Sequence, residues 1–299
     1  MANIRIIRRR IRSVQSTAKI TKAMELVAAS KMRRAQERAL AGRPYAEQLR
    51  EVLSHLAEQT GGDIDPTGAT VLHPLLVQRS PVRRALIIEI TTDRGLCGGL
   101  NANLNRRTAA LALELRGQGI EVSLVNVGRK GREFFGRTGY PIEAEFANLP
   151  DYPAMADTLA ISHVAVTDFL EGRADRVLIV YPRFINTTIQ RPEVLQLLPV
   201  QPPETTETIT AKYADYIFEP SPEEVLETLV PRYVETQLYV TVLEKAASEQ
   251  SARMVAMRNA SDAAADMIQD LTLTYNKTRQ EQITKELLDV VGGAQALTR

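Results

Sequence analysis

Cysteine, tryptophan and long apolar runs are scarce or absent in this sequence. Its 299 residues include one cysteine, Cys97, and no tryptophan. A single cysteine excludes a disulfide within the chain and is typical of a reducing compartment. No stretch approaches the roughly 18 uncharged apolar residues that a membrane-spanning helix needs, so we expect no direct membrane insertion. Aromatic residues make up 5% of the chain, which suits long helices better than a thick core.

Motifs that carry chemistry are also missing. The sequence contains no G-x-x-x-x-G-K-[ST] motif, and the glycines between Gly95 and Gly99 lack the G-x-G-x-x-G spacing of a dinucleotide site. The three histidines, His55, His73 and His163, are scattered without the spacing of metal ligands. No pair of carboxylates stands out as an acid and a base. We therefore predict no catalytic, cofactor or metal site.

A glycine-rich loop at residues 93–99 follows an apolar run and precedes a helical pattern. We interpret it as a tight strand-to-helix turn in which Asp93 and Arg94 form a local ion pair. Cys97 has no neighbouring His to activate it, so it is expected to be a small packed residue rather than a nucleophile. The residues expected to form this structural loop are Asp93, Arg94, Gly95, Cys97 and Gly98.

The net charge of +1 conceals a strong asymmetry along the chain. Residues 1–43 contain 12 Lys or Arg and two acidic residues, Glu25 and Glu37, so their net charge is +10 and the remainder is near −9. Such a basic arm can meet nucleic acid, a membrane surface or an acidic protein surface. The arm has no aromatic residue that could stack on bases, which weakens the nucleic-acid interpretation.

The first 58 residues carry a heptad pattern. Alternating steps of three and four residues from Ile4 to Leu56 give sixteen positions, of which thirteen are apolar. A seam sustained over this length is the signal of a coiled-coil strand. The step at residues 42–44, Gly-Arg-Pro, is expected to kink or locally open the helix.

A second apolar stripe lies beside this seam and consists of Ile20, Ala23, Met24 and Val27. A simple pair of helices offers the stripe no partner, so we expect a contact with another protein.

Residues 221–299 show the same type of pattern. Residues 221–224, Ser-Pro-Glu-Glu, form a capping box with proline at the first helical position. The seam from Leu226 to Tyr275 has fifteen positions, of which twelve are apolar. Met254 and Met257 lie on this seam and are expected to serve packing. Pro231 is expected to bend the first turns.

The two helices bracket the rest of the chain, so we expect them to pair antiparallel. The 3.5-residue period predicts a left-handed coiled coil. At 1.5 Å per residue the helices would be about 80 and 105 Å long, which leaves a C-terminal overhang of roughly 15–20 residues. The overhang carries apolar side chains on several sides, at Leu287, Leu288, Val290 and Val291. A lone helix of this kind is expected to need an apolar sleeve.

The middle of the chain alternates strand and helix patterns. Strands are predicted at residues 85–91, 121–127 and 176–181, and helices at 102–116, 130–137 and 153–170. This alternation is typical of a Rossmann-like α/β domain with a mainly parallel sheet.

The remaining segments of the middle region read as an edge and as loops. Residues 187–198, broken at Pro192, are expected to form an edge hairpin or extended pair. Residues 60–80 and 201–212 are expected to be surface loops. The predicted organisation is an N-terminal coiled-coil helix at 1–58, a central α/β domain at 59–220 and a C-terminal coiled-coil helix at 221–299.

Five segments resemble the γ subunits of F-type ATP synthases. In chain order they are IRSVQSTAKITKAMELVAASKMRRA (11–35), TTDRGLCGGLN (91–101), FINTTIQRPEVLQLLP (184–199), ASEQSARMVAMRNASDAA (247–264) and YNKTRQEQITKELLDVVGGAQAL (275–297). The resemblance extends over nearly the whole chain in the right order, which makes it far more specific than any one segment.

The resemblance implies a central-stalk rotor that is not itself an enzyme and needs no cofactor. In this family the coiled coil fills the centre of a ring of three α and three β subunits, with one γ subunit per ring. The α/β domain lies against the ε subunit and the ring of membrane c subunits. Proton flow turns the c ring, and the uneven shaft drives the β sites through different nucleotide affinities.

The resemblance also implies contact residues. Positions that match the family's shaft contacts with the α/β ring are Met24, Arg253, Gln280, Thr284 and Glu286. The exposed stripe and the overhang add Ile20, Val27, Leu287 and Val291 to this set. Residues 215–220 match the base of the stalk, where Tyr216, Phe218 and Glu219 are expected to meet the ε subunit and the c ring.

One departure from part of the family is informative. Residues 198–220 contain only a short polar loop without cysteine, unlike the regulatory insertion of chloroplast and cyanobacterial γ subunits. The resemblance therefore implies a bacterial type, peripheral to the cytoplasmic face of the plasma membrane and without thiol regulation. Two other functions stay open from the residues alone: a basic coiled coil that binds nucleic acid, and a small α/β enzyme with helical oligomerisation arms.

Overall fold

The computed structural model describes residues 4–60, 73–201 and 219–297. Two long helices, α1 (Ile4–Thr60) and α5 (Pro222–Leu297), bracket a region of alternating strands and helices. The chain divides into two compact units, which are Met1–Ala28 with Arg253–Arg299, and Ala29–Ala252. The three-segment organisation expected from the sequence stays a prediction. No helix in the described part of the chain is long and apolar enough to cross a membrane.

The elements between the long helices follow the predicted alternation. They are β1 (Arg84–Ile90), α2 (Leu100–Gly117), β2 (Glu121–Val127), α3 (Arg129–Phe135), β3 (Ile142–Phe146), α4 (Leu159–Leu170), β4 (Arg176–Phe184) and β5 (Gln190–Leu198). The sheet order is β3-β2-β1-β4-β5, and only the β4–β5 pair is antiparallel. The mainly parallel sheet and the edge strand with Pro192 are therefore confirmed.

The sheet of the second unit is covered on both faces. In β1, Leu86, Ile88 and Ile90 point to one face, where α4, the end of α1 and the start of α5 complete an apolar core. Ala85 and Ile87 point to the opposite face, which α2 and α3 cover. Because side chains alternate along a strand, the intervening Glu89 shares the face of Ala85 and Ile87.

Three details differ from the sequence predictions. Strand β3 was not predicted, because it is a half-buried edge strand of only five residues. Residues 153–170 do not form one helix, since a 3₁₀ turn at Met155–Asp157 precedes α4. Helix α1 continues through Pro44 and does not end there, although proline has no N–H to donate to the preceding turn; the expected kink stays a prediction.

The heptad seams pair antiparallel within the first unit. Arg8 contacts Tyr275, and farther along α1 the Thr21 and Ser261 hydroxyl oxygens lie 2.7 Å apart. Partner numbers in α5 fall as those in α1 rise, which is the signature of antiparallel helices. Met257 is buried on this seam, as the pattern predicts. The handedness of the supercoil stays a prediction.

The same pairing is present within the second unit. A Cβ added at Gly42 would lie 3.7 Å from Leu243 and 3.8 Å from Val240, so the glycine lies directly against α5. Ser221 is the N-cap of α5, because its hydroxyl oxygen accepts a hydrogen bond from the Glu224 amide at 3.3 Å. The return bond of the predicted capping box stays a prediction.

Candidate partner-binding surfaces

The second stripe on α1 is exposed within the first unit. Ile20 and Val27 have 58% and 55% of their surfaces accessible, while Met24 between them is half-buried. The neighbouring seam residues Glu25 and Ala28 are buried. The structure therefore places an apolar surface where the sequence predicts one, beside the seam and outside the helix pair.

The end of α5 has no covered face. Every described residue from 279 to 294 is exposed, as an overhang beyond the start of α1 requires. The predicted contact residues in this segment are exposed, and they are Gln280, Thr284, Glu286, Leu287 and Val291. Arg253, the remaining predicted contact on α5, is half-buried.

A charged cluster lies at the boundary of the exposed stripe. Glu25 is buried in the seam, and its carboxylate accepts from Lys22 Nζ at 2.9 Å and from Arg258 Nε at 3.1 Å. The hydrogen bond from Lys22, assisted by the one from Arg258, lowers the pKa of Glu25 although burial opposes the shift. This polar seam position therefore stays ionised and paired within the helix pair.

The structure describes only part of the predicted contact residues at the base of the stalk. Tyr216 and Phe218 lie outside the described residues. Glu219 is exposed, as a contact residue requires.

The glycine-rich loop is held in place by contacts of Asp93, but not by the expected ion pair. Asp93 accepts hydrogen bonds from the amides of Arg129 at 3.1 Å and Asn148 at 3.0 Å, and its carboxylate lies 3.9 Å from the Arg129 guanidinium. The predicted Asp93–Arg94 pair is wrong, because the acid reaches across the sheet edge to the loops after β2 and β3. Arg94 and Gly95 are exposed.

Inside the same loop, Cys97 is a packed residue. It is 2% exposed, and Asn101 Nδ2 donates to its sulfur at 3.2 Å. Gly98 adopts a φ of 59° in the left-handed region, where glycine is favoured. The loop connects the end of β1 to the start of α2.

A cleft of about 240 Å³ lies at the carboxyl edge of the parallel strands, within the second unit. Such edges are the usual ligand site of doubly wound sheets. Here α5 forms one wall, with Lys245 and Glu249 paired at 2.9 Å. The acidic residues of the cleft are also paired with basic residues: Asp93 with Arg129, and Asp151 with Lys31. This balanced lining does not provide the surplus of positive charge that a phosphate group needs.

A buried acid, which no sequence pattern predicts, lies beside this edge. Glu89 is fully buried, and its Oε2 has no hydrogen-bond partner in the described part of the chain. Asn105, with its amide oriented so that Nδ2 faces the acid, donates to Oε1 at 3.1 Å. Burial raises the pKa of Glu89 to about 8, and the nearby Thr108 hydroxyl lowers it by less. The acid is therefore mostly protonated at neutral pH.

Known proteins are similar to this chain over almost its whole length. A family model for ATP synthase matches residues 3–297. The ATP synthase gamma chain of Dehalococcoides mccartyi strain 195 is 54% identical over 297 residues, 99% of this chain and 100% of the relative. The ATP synthase gamma chain of Chloroflexus aurantiacus strain J-10-fl is 48% identical over 298 residues, 100% of both chains.

Solved structures give a matching fold. A chain of the central stalk and c-ring structure of Tetrahymena thermophila mitochondrial ATP synthase superposes with a TM-score of 0.60 at 27% identity, covering 81% of this chain and 99% of that chain. A chain of the Euglena gracilis mitochondrial OSCP/F1/c-ring structure gives a TM-score of 0.65 at 21% identity, covering 98% and 94%. The second likeness shows the fold alone.

Proposed function

Because this chain belongs to the ATP synthase gamma-chain family, we propose that it is the central-stalk rotor subunit of an F-type ATP synthase. It is a non-catalytic subunit that couples rotation of the c ring to conformational change at the β subunits. Its partners are the α and β subunits, the ε subunit and the c ring. The alternative functions, a nucleic-acid-binding coiled coil and a small α/β enzyme, gain no support from the relatives.

The observation that supports this proposal most directly is the exposed apolar surface of the first unit. A helix end with Leu287, Leu288 and Val291 at 61%, 66% and 56% exposure is unfavourable in water. A surrounding protein sleeve would bury these side chains. The stripe of Ile20 and Val27 provides a second surface of the same kind on α1.

We further propose the contact residues. The α/β ring meets Ile20, Met24, Val27, Arg253, Gln280, Thr284, Glu286, Leu287 and Val291. The ε subunit and the c ring meet the base around Tyr216, Phe218 and Glu219. As a peripheral part of the F1 sector, the subunit is placed on the cytoplasmic face of a bacterial plasma membrane.

Assembly with α and β subunits tests the function. We expect a complex with one copy of this chain for three αβ pairs, measured by native mass spectrometry after co-expression. The isolated chain is expected to hydrolyse no ATP, and the complex is expected to hydrolyse ATP with cooperativity among its sites. A different stoichiometry, or a nucleotidase activity of the chain alone, would contradict the rotor function.

Truncation after Leu287 tests the sleeve. Because residues 288–294 are all exposed, we expect the thermal unfolding midpoint of the isolated chain to change little. The αβ complex is expected to assemble, with ATPase cooperativity reduced several-fold since apolar contacts to the ring are lost. Leu113→Ser is a matched control, because this side chain is 65% exposed on α2 of the other unit. Unfolding of the α/β region by the truncation would refute the overhang.

A further inference from the structure

Helix α5 contains a segment that is covered on every side. All eleven residues from 241 to 251 are buried, including seven polar ones. A helix with one face in water shows an exposed residue in almost every turn. This segment, here termed the collar segment, must therefore be surrounded by other parts of the second unit.

Three different structures surround the collar segment. On one side, Ala247 packs with Ala35 of α1 and Phe184 of β4. On another, Lys245 and Glu249 face the loops at the carboxyl edge of the sheet. The third side faces the turn region of the β4–β5 hairpin, residues 182–190, which adds polar contacts to the apolar contact of Phe184.

The contacts to the hairpin are hydrogen bonds to its backbone. The Phe184 amide donates to Glu244 Oε2 at 3.3 Å. The Ser248 hydroxyl donates to the Pro182 carbonyl oxygen at 2.9 Å, and the Ser251 hydroxyl donates to the Thr187 carbonyl oxygen at 2.6 Å. Glu244, Ser248 and Ser251 are spaced by four and three residues, so they lie on one face of the helix.

The polar character of this face has a mechanical consequence. Apolar packing is non-directional. The small side chains Ala35 and Ala247 also provide little steric resistance to sliding or turning of α5. Hydrogen bonds depend steeply on distance and angle. Bonds to fixed backbone atoms therefore define both the register and the rotational setting of α5 against the hairpin.

On the basis of the rotor function proposed above, we infer that Glu244, Ser248 and Ser251 form a latch that transfers torque between the sheet and helix α5. These are positioning residues, since they act on the helix and touch no nucleotide. A rotor whose sheet is driven by the c ring must pass force to its helices without slipping. The latch is a directional contact that opposes such slipping at the collar segment.

The test uses the complete ATP synthase in vesicles, with ATP hydrolysis and ATP-driven proton uptake measured together. In the double variant Ser248→Ala with Ser251→Ala, hydrolysis is expected to continue. Because slipping of α5 against the sheet would let hydrolysis proceed without transport, we expect the protons moved per ATP hydrolysed to fall below the native value. A role in folding or assembly alone would lower hydrolysis and uptake in parallel and leave their ratio unchanged.

Thr241→Val is the matched control. Thr241 is also buried in the collar segment, but its hydroxyl donates to Leu238 O of the same helix at 2.7 Å. We expect this variant to keep the native ratio of protons to ATP. The latch is overturned if the serine variant also keeps the native ratio, or if both variants lower it equally.

A second measurement separates the latch from the rotor function. In the isolated chain, amide hydrogen exchange at residues 182–189 is expected to accelerate in the serine variant and not in Thr241→Val. Unchanged exchange would overturn the latch whether or not a complex assembles. If exchange accelerates but the native chain forms no complex with α and β subunits, the rotor function fails and the latch remains as a contact of the fold.

Discussion

The Glu89→Gln variant is expected to gain stability relative to the native chain as pH rises. Relative to the native chain, the free energy of unfolding of the variant should increase by about 3 kcal/mol between pH 4.5 and pH 7. The reason is that the native chain carries a carboxyl group in its interior whose charged form has no compensation. A neutral amide of the same shape removes the need to keep that group protonated.

The geometry explains why the charge is unfavourable at this position. Glu89 is 0% exposed on the face of β1 that α2 and α3 cover. The β1–β2 register places Asn126 beside it, and Gly131 packs directly against Oε2. No cation of the described residues is hydrogen-bonded or ion-paired to this carboxyl, and burial therefore raises its pKa to about 8.

The direction of the pH effect follows from proton binding. Below pH 4.5, the ordinary pKa of a glutamate, the acid is protonated in both folded and unfolded chains, so it adds no pH dependence. Between pH 4.5 and about 8 only the folded chain holds the proton, and stability falls by about 1.4 kcal/mol per pH unit. Above pH 8 both states are ionised and the loss levels off.

Urea unfolding of the isolated chain at a series of pH values measures this effect. The native and Glu89→Gln curves of stability against pH are expected to diverge from pH 4.5 upward. Glu121→Gln serves as the control, since Glu121 is exposed at the start of β2 and its replacement is expected to leave the slope almost unchanged. Parallel curves for native chain and Glu89→Gln would show that the acid is not buried as described.

Periodicity predicts the features that depend on which face of an element is apolar. The heptad seams identify buried positions such as Ala28, Leu53 and Met257, because a helix pair buries one residue every three or four. The same logic predicts the exposed stripe at Ile20 and Val27, since apolar residues beside a full seam have no place in a two-helix pair. The overhang follows from the unequal helix lengths alone.

The features that periodicity misses depend on contacts between distant segments. Ser248 and Ser251 lie off the seam of α5, so a two-helix pattern assigns them to solvent, yet the hairpin some 60 residues earlier covers them. Asp93 pairs with Arg129 for the same reason, because the parallel sheet brings together loops that are distant in sequence. Neither the latch nor the polar surroundings of Glu89 has a local signature.

Gly128 shows how closely these loops approach each other. It follows β2 with a φ of 104°, a backbone conformation that residues with a side chain rarely adopt. A Cβ at this position would lie 2.5 Å from the Thr91 carbonyl oxygen and 2.7 Å from its carbonyl carbon. These are backbone atoms at the end of β1, so they cannot move aside as a flexible side chain would.

Gly128→Ala is therefore expected to destabilise the second unit by about 3–5 kcal/mol, from backbone strain together with steric overlap. Gly119→Ala is the matched control, because Gly119 has a similar positive φ of 79° but nothing within 4 Å of its added Cβ. Strain alone is expected to limit the control to about 1–2 kcal/mol. Urea unfolding at pH 5, where Glu89 is protonated in the folded chain, measures both losses without a contribution from a buried charge. Equal losses in the two variants would mean that the ends of β1 and β2 are farther apart than described, and the position of the Asp93–Arg129 contact would then need revision.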